Sequence, residues 1–345
     1  MARVAVLMSG GIDSTAAAVL LKRAGHDVIG LTARLLLSAS RCCDADDLYR
    51  AQRICHKLGI PHITLDLRQE FERNVVDEFF EAYFDGLTPN PCARCNREIK
   101  LGKMLGLAVR SGFDRVATGH YARIRLIAGR YAICEPVDRR KSQTYFLALV
   151  RQAALEYLVF PLSRLRKEEA RRIVSGMNLP VRDGESQDLC FIPTGAYRKI
   201  LEARWNGPGE GNVLDVEGNV VGSHKGHYAY TIGQRLGREG RRYYVVEKRA
   251  STNEIVVAER GQTLKTRIRV RDINRYVPLS SLEGKRLRVK YRYNSAPVTG
   301  KILESKSACV VVATDEACFA PAPGQILACY LDDCLVFGGI IDRAD

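Results

Sequence analysis

Strand and helix patterns alternate through the first half of the chain, and from about Thr266 closely spaced strands run without a helix. Together they predict an α/β fold: a parallel sheet covered by helices, then a small connector and a C-terminal β-barrel. A third observation, a Gly-rich turn between the first strand and the first helix, puts a ligand site at the carboxyl end of that sheet. At 345 residues the chain has room for two or three domains.

The elements follow in order. Arg3-Val-Ala-Val-Leu-Met8 is a short apolar run that reads as a strand, and the helical pattern from Asp13 to Ala24 is stopped by Gly25. The unit repeats with a strand at Asp27–Ala33, a helix at Asp44–Leu58 closed by Gly59, and a strand at Ile63–Leu67. Helical stretches near 69–84 and 95–110 lead to a strand at Asp114–Thr118. Near residue 195 the texture changes, as Pro193, Gly195, Gly207, Pro208, Gly209 and Gly211 punctuate the chain and short strand-like runs replace helices. These shifts divide the sequence into 1–195, 196–262 and 263–345.

Composition narrows the function. Apolar residues make up 46% and charged residues 27%, which suits a packed core and not a disordered chain. No apolar run approaches the roughly 18 residues of a spanning helix, and the first strand reaches Ser9-Gly10-Gly11 too soon for a signal peptide. A cytoplasmic protein without a membrane partner is therefore expected. Eleven cysteines spread along the chain predict thiols, metal ligands or catalytic groups, not a structural disulfide framework. The 53 Lys+Arg against 39 Asp+Glu, net +14, attract a polyanion.

Ser9-Gly-Gly-Ile-Asp-Ser14 is the sharpest local signal. Glycines let the backbone approach a ligand, the following helix offers unpaired N–H groups to an anion, and two hydroxyls add donors. The plain alternative is an ordinary turn with Asp13 as a helix cap. The Gly-Lys-Ser/Thr ending of a Walker loop is absent. Asn90-Pro-Cys-Ala-Arg-Cys-Asn-Arg-Glu-Ile-Lys100 sets Cys92 and Cys95 at the start of a basic helix, where the dipole and Arg94 or Arg97 would lower a thiol pKa. Cys190, beside Leu189 and Phe191, suits a core thiol as well as a reactive one.

The loop resembles the PP-loop of ATP pyrophosphatases, which split ATP between its α and β phosphates, on a Rossmann-like parallel-sheet domain. With Asn90–Lys100, Ala117-Thr-Gly-His-Tyr-Ala-Arg123, Gln143-Thr-Tyr-Phe-Leu147, Ser186-Gln-Asp-Leu-Cys-Phe191 and Tyr230-Thr-Ile-Gly-Gln-Arg235, the ordered set resembles the tRNA-specific 2-thiouridylases. The resemblance implies an ATP-dependent tRNA sulfurtransferase that converts the wobble uridine to 2-thiouridine. It uses Mg²⁺ and sulfur from a persulfide relay that starts at a cysteine desulfurase. By the same resemblance Leu7, Met8, Ser9, Gly10, Gly11, Ile12, Asp13 and Ser14 hold ATP phosphates, with Ala33 and Gly119 near the adenosine. Cys190 carries the persulfide, and Cys95 either resolves it through a disulfide or releases sulfide. Asn90, Cys92, His120, Lys141, Ser142, Gln143, Arg292, Tyr293 and Gln325 are implied tRNA contacts. Three positions depart from the family pattern: Cys92 replaces a common Asp, Ser142 replaces the Asp of Lys-Asp-Gln, and Ala33 replaces a Met. Cys92, Cys95 and Cys190 also suggest an alternative, three thiolates holding an iron–sulfur cluster that binds sulfide. A small-molecule substrate for the same loop is the other alternative.

The basic charge is uneven. Residues 261–300 hold ten Lys+Arg against Asp272 and Glu283. Alternation puts Arg267, Arg269 and Arg271 on one strand face and Arg286, Arg288, Lys290 and Arg292 on another, a pattern suited to a phosphate backbone or to a solvated barrel face. Cys55 and Cys134 read as core. Cys309, Cys318, Cys329 and Cys334 are too irregular for zinc, and Cys42-Cys43 reads as mobile and reactive. The basic stretch Arg164–Arg172 suits a solvated face or an RNA contact.

Overall fold

The structure is a computed structural model that describes residues 1–36, 45–127, 129–182, 189–192, 195–238, 241–306 and 308–345. Cys42, Cys43 and the motif residues Ser186, Gln187 and Asp188 lie outside the described residues. Two compact units are present. The first comprises Met1–Val76, Cys92–Thr194 and Asp333–Val336; the second comprises Asp77–Pro91, Gly195–Asp332 and Phe337–Asp345.

In chain order, β1 (Arg3–Leu7), α1 (Ile12–Arg23), β2 (Asp27–Arg34), α2 (Ala45–Leu58) and β3 (His62–Asp66) fall within two residues of the sequence reading. Then α3 (Arg68–Phe71) leads through a π-helical stretch (Glu72–Asp77) to α4 (Glu78–Phe84), where the chain passes to the second unit. It returns for α5 (Pro91–Cys95), a second π-helical stretch (Asn96–Met104), α6 (Leu105–Arg110) and β4 (Arg115–Ala117). A hairpin that the sequence reading missed follows, β5 (Arg123–Ile127) and β6 (Arg130–Cys134), then α7 (Thr144–Leu147), β7 (Leu158–Val159) and α8 (Lys167–Ser175).

The first unit is organised by one five-stranded sheet in the order β3-β2-β1-β4-β7, parallel throughout. Val4, Ala5 and Val6 on the central strand are at most 1% exposed, because helices cover both faces of the sheet and leave no polar side for these residues. The chain builds outward from β1 to β2 and β3, then resumes on the other side at β4. The topological switch point therefore lies between β1 and β4, at the carboxyl ends that carry Ser9–Ser14 and Thr118–His120.

The C-terminal segment Asp333–Val336 belongs to this unit, and Cys334 sits opposite Cys134 with Cα atoms 3.9 Å apart, joined as a disulfide. The sequence reading has Cys134 as a core residue and excludes zinc at Cys334, and it does not anticipate the pair. Two hundred residues separate them, so spacing carried no sign of the pair.

The second unit holds α9 (Tyr197–Arg204), where strand-like runs were expected. Its helix is set by packing: Leu201 is 1% exposed, and the Tyr197 ring meets Phe79 and Tyr83 of α4 edge-on at 6.3 and 5.8 Å. A sheet of β8 (Gly211–Leu214), β9 (Val220–His224), β10 (Arg235–Arg238), β11 (Arg241–Arg249) and β12 (Glu254–Glu259) follows, ordered β10-β11-β12-β8-β9. The barrel comprises β13 (Leu264–Arg275), β14 (Leu287–Lys290), β15 (Val298–Ser305), β16 (Cys309–Phe319), β17 (Ile326–Leu331) and β18 (Cys334–Ala344), closed by pairing of β13 with β18. Ile268, Val270, Leu287 and Val289 are fully buried while the cations between them face out, as alternation requires.

Candidate active site

The loop after β1 is built from its own hydroxyls. Gly10 takes φ +73°, a left-handed conformation that favours glycine, and a side chain there would meet the Asp47 carbonyl and Arg50. Ser14 Oγ donates to the Gly11 carbonyl at 3.1 Å and accepts from the Ser9 amide at 3.2 Å, while Thr15 Oγ1 donates to the same carbonyl at 2.9 Å. Gly11 is the N-cap of α1 and no side chain caps the helix, so the plain reading of Asp13 as a cap does not hold. Asp13 instead accepts two hydrogen bonds from Lys167 Nζ, both at 2.7 Å, and one from the Tyr121 hydroxyl at 3.1 Å. Burial and the Asp13 carboxylate push the Tyr121 phenol upward, which keeps it a donor.

Gly119 lies flush against this loop. A Cβ there would sit 2.6 Å from the Asp13 carbonyl carbon and the Ser14 nitrogen. His120 follows, with Nδ1 2.8 Å from Thr118 Oγ1; burial, aided by Lys100, pushes its pKa down to about 3, so the imidazole is neutral. Gln143 is tied to the next residue: its Oε1 accepts from the Tyr121 amide at 2.9 Å and its own amide donates to the Tyr121 carbonyl at 3.1 Å. Ser142 Oγ meets Thr144 Oγ1 at 3.0 Å. Ala33, at the end of β2, is 7% exposed, and the neighbouring Thr32 hydroxyl donates to the Met8 carbonyl at 3.0 Å.

The two thiols named from the sequence differ in environment. Cys92 is exposed, whereas Cys95 is 5% exposed at the end of α5 and burial pushes its thiol up, with Lys100 opposing. This corrects the expectation of a lowered pKa from Arg94 or Arg97. Arg94 turns to the Asn74 carbonyl at 3.2 Å and Arg97 pairs with Glu98 at 3.1 Å, so desolvation dominates. Cys190 is half-buried in a turn, anchored by Phe191 edge-on to Phe71 at 6.0 Å. The iron–sulfur alternative needs three thiolates. Cys92, Cys95 and Cys190 all belong to the first unit, and among the described residues the group spaced for a single ion is Cys134, Asp333 and Cys334. That group does not fit an ion, since Cys134 and Cys334 are disulfide-bonded and Asp333 is paired with Arg123 and Arg125.

In the second unit, Tyr293 is 39% exposed with Lys290 Nζ 5.2 Å above its ring. Arg292 donates from Nη2 to the Ile232 carbonyl at 3.2 Å and the Ala320 carbonyl at 2.5 Å. Gln325 Nε2 donates to the Thr88 carbonyl at 2.9 Å, holding the segment that carries Asn90. Arg286 pairs with Asp315, and Arg269 and Arg271 share Asp342 at 3.5 Å each.

Family models match in three consecutive blocks: residues 2–194 fit a tRNA methyl transferase HUP domain, 199–259 a tRNA methyl transferase PRC-barrel domain, and 265–341 an aminomethyltransferase beta-barrel domain. Over 357 residues the chain is 39% identical to the tRNA-specific 2-thiouridylase MnmA of Aquifex aeolicus (strain VF5), covering 99% of both. The chain belongs to the tRNA-specific 2-thiouridylase family. The MnmA protein of Gloeothece citriformis (strain PCC 7424) is 38% identical over 351 residues, with 99% of this chain and 100% of that protein covered. MnmA 2 of Clostridium botulinum (strain Okra / Type B1) is 37% identical over 354 residues, with 99% of each covered.

Within this thiouridylase-family chain, sequence reasoning missed Lys167, Tyr121 and Lys100. Lys167 lies in the basic stretch read as a solvated face or an RNA contact, yet it is 7% exposed and faces the loop. The faint signal was a lysine at the first position of a helix, where cations are disfavoured by the dipole.

Proposed function

We propose that this chain is an ATP-dependent tRNA-uridine 2-sulfurtransferase acting on the wobble uridine. The observation that carries the reading is a glycine-rich loop and helix N-terminus at the switch point of a parallel sheet, in the same unit as Cys95 and Cys190. The family-model descriptions speak of methyl transfer, whereas the whole-chain relatives are named for thiolation. A loop suited to a polyphosphate and a pair of cysteines favour the latter.

MgATP enters as substrate, its phosphates at Leu7–Ser14 and its adenosine near Ala33 and Gly119. The uracil C2 oxygen attacks the α phosphate and pyrophosphate leaves, with loop N–H groups bearing the phosphoryl charge. The terminal sulfur of a Cys190 persulfide then attacks C2, and AMP departs with the former C2 oxygen. Cys95 attacks Cys190 Sγ, forming the Cys95–Cys190 disulfide and leaving sulfur on the base, after which a thiol reductant restores the pair. In the other route Cys95 frees sulfide, which attacks C2. Either way Cys95 must lose its proton, and Lys100 is the cation that favours the thiolate. Neutral His120 can orient the uracil without adding charge. Asn90, Cys92, Lys141, Ser142, Gln143, Arg292, Tyr293 and Gln325 serve tRNA by contact or by supporting the surfaces that make it. The three segments 1–195, 196–262 and 263–345 divide this work into chemistry, connection and tRNA holding. A cysteine desulfurase relay supplies the sulfur, in the cytoplasm.

The test is incubation of the full chain with tRNA, MgATP and a persulfide donor under anaerobic reducing conditions. The expected result is one AMP and one pyrophosphate per 2-thiouridine, with no product from Cys190→Ser. Release of AMP without tRNA would favour a small-molecule substrate. RNA binding without pyrophosphate would contradict catalysis.

A further inference from the structure

We infer that Lys167 is a positioning residue of the phosphate loop: by pairing with Asp13 it neutralises the loop's own carboxylate so that the loop can accept a polyphosphate. This rests on the ATP-cleaving reading above and assigns the element that makes the loop competent for it.

A phosphate loop that carries an aspartate contains a contradiction. Asp13 stands in the first turn of α1, where the helix N-terminus favours a negative charge, so an unpaired carboxylate would occupy the field meant for the substrate and repel it. The charge is removed by pairing. Lys167 Nζ lies 2.7 Å from both Asp13 oxygens with its side chain 8% exposed, and the ammonium is 5.7 Å from the centre of the Tyr121 ring. Tyr121 adds its hydroxyl to Asp13 Oδ1, so two donor groups make three hydrogen bonds to one carboxylate.

The backbone shows that Lys167 is held for this purpose. It is the first residue of α8, where a cation opposes the helix dipole, yet Asp138 accepts from its amide at 3.2 Å and Glu169 accepts from the Arg166 amide at 2.7 Å. Asp138 is 5% exposed, and its carbonyl accepts from the Lys141 amide at 3.1 Å. One residue thus links the phosphate loop to the 139–143 segment, which carries three of the implied tRNA contacts.

The experiment measures binding of a nonhydrolysable ATP analogue by calorimetry to the full chain as wild type, Asp13→Asn, Lys167→Met and the double variant, with melting temperatures recorded for each. Tight binding by wild type, at least 30-fold weaker binding by K167M, and at least tenfold recovery in D13N/K167M are expected, with tRNA affinity changed less than twofold. Recovery separates neutralisation from a merely structural role, because the double variant keeps no ion pair. A double variant no tighter than K167M, as direct contact of Lys167 with a phosphate would give, overturns the inference, and so does a K167M that binds like wild type. If K167M does not fold, Lys167→Gln and D13N/K167Q take its place: the same loss and recovery are expected, and a double variant no tighter than K167Q overturns the inference. A wild type that binds no analogue would sink the proposed reaction and this inference together; a wild type that binds without coupling sinks this inference alone.

Discussion

The Ser9–Ser14 loop and the barrel hold charge in different ways. Around the loop, each pair has one buried member and specific partners: Asp13, its side chain 30% exposed, is met by buried Lys167 and by Tyr121, and Asp47 (6% exposed) by Arg182 at 3.1 Å and Arg50 at 3.3 Å. On the barrel, cations stand in rows between buried apolar residues, and their acidic partners Asp315 and Asp342 are themselves exposed, with side-chain exposures of 43% and 41%. A pair with one buried member holds its geometry more firmly than an exposed pair, which contributes little and exchanges readily for a phosphate. The first arrangement suits chemistry on one bond. The second suits a long polyanion held by many weak contacts.

That contrast can be broken from either side. The largest effect belongs to the thiols: Cys190→Ser and Cys95→Ser should each lower thiolation by about three orders of magnitude while binding ATP analogue and tRNA normally. Retained turnover in either would remove the sulfur chemistry from this unit. Next is Gly119→Ala, whose new methyl must displace the backbone at Asp13 and Ser14. An overpacking cost of about 1–3 kcal/mol, directed at the loop, should weaken ATP-analogue binding by roughly 5- to 150-fold with tRNA affinity intact.

On the barrel the expected effects are smaller and graded. Arg288→Gln with Lys290→Gln should weaken tRNA binding and flatten the log–log salt dependence by about 0.9 for each phosphate no longer neutralised, with ATP binding unchanged. Arg286→Gln should do less, since Asp315 already pairs with Arg286. Equal losses from all three would mean that the ion pair opens on binding.

The smallest effect is a pH dependence within the second unit. Lys248 donates to the Leu87 carbonyl at 3.2 Å and is 8% exposed, and burial pushes its pKa down to about 7 against about 10.5 for an exposed lysine. The unfolded chain therefore binds the extra proton between these values, so stability should rise from about pH 7 toward 10. Lys248→Met should remove that rise in melting temperature. An identical slope in both proteins would show that Lys248 stays charged in the fold.

Local sequence carried the parts of the fold that local rules decide. The β1–loop–α1 unit was legible because an apolar run, paired glycines and a helical pattern follow one another within 24 residues. The barrel's outward cations were legible because strand alternation has a period of two. The partners that tune the site were not. Asp13 and Lys167 are 154 residues apart, Cys134 and Cys334 are 200 apart, and the Arg292 and Gln325 hydrogen bonds go to carbonyls that every residue has. Helix α9 is fixed by aromatic packing on α4, and the raised Cys95 thiol by burial that outweighs nearby cations, neither of which a window of residues contains.

The central claim is that the loop unit activates the base by adenylating its C2 oxygen. The most direct measurement uses tRNA bearing ¹⁸O at C2 of the wobble uridine and mass analysis of the released nucleotide. The account predicts AMP carrying one ¹⁸O per 2-thiouridine formed, together with unlabelled pyrophosphate. Unlabelled AMP, or ADP and phosphate in its place, would contradict it.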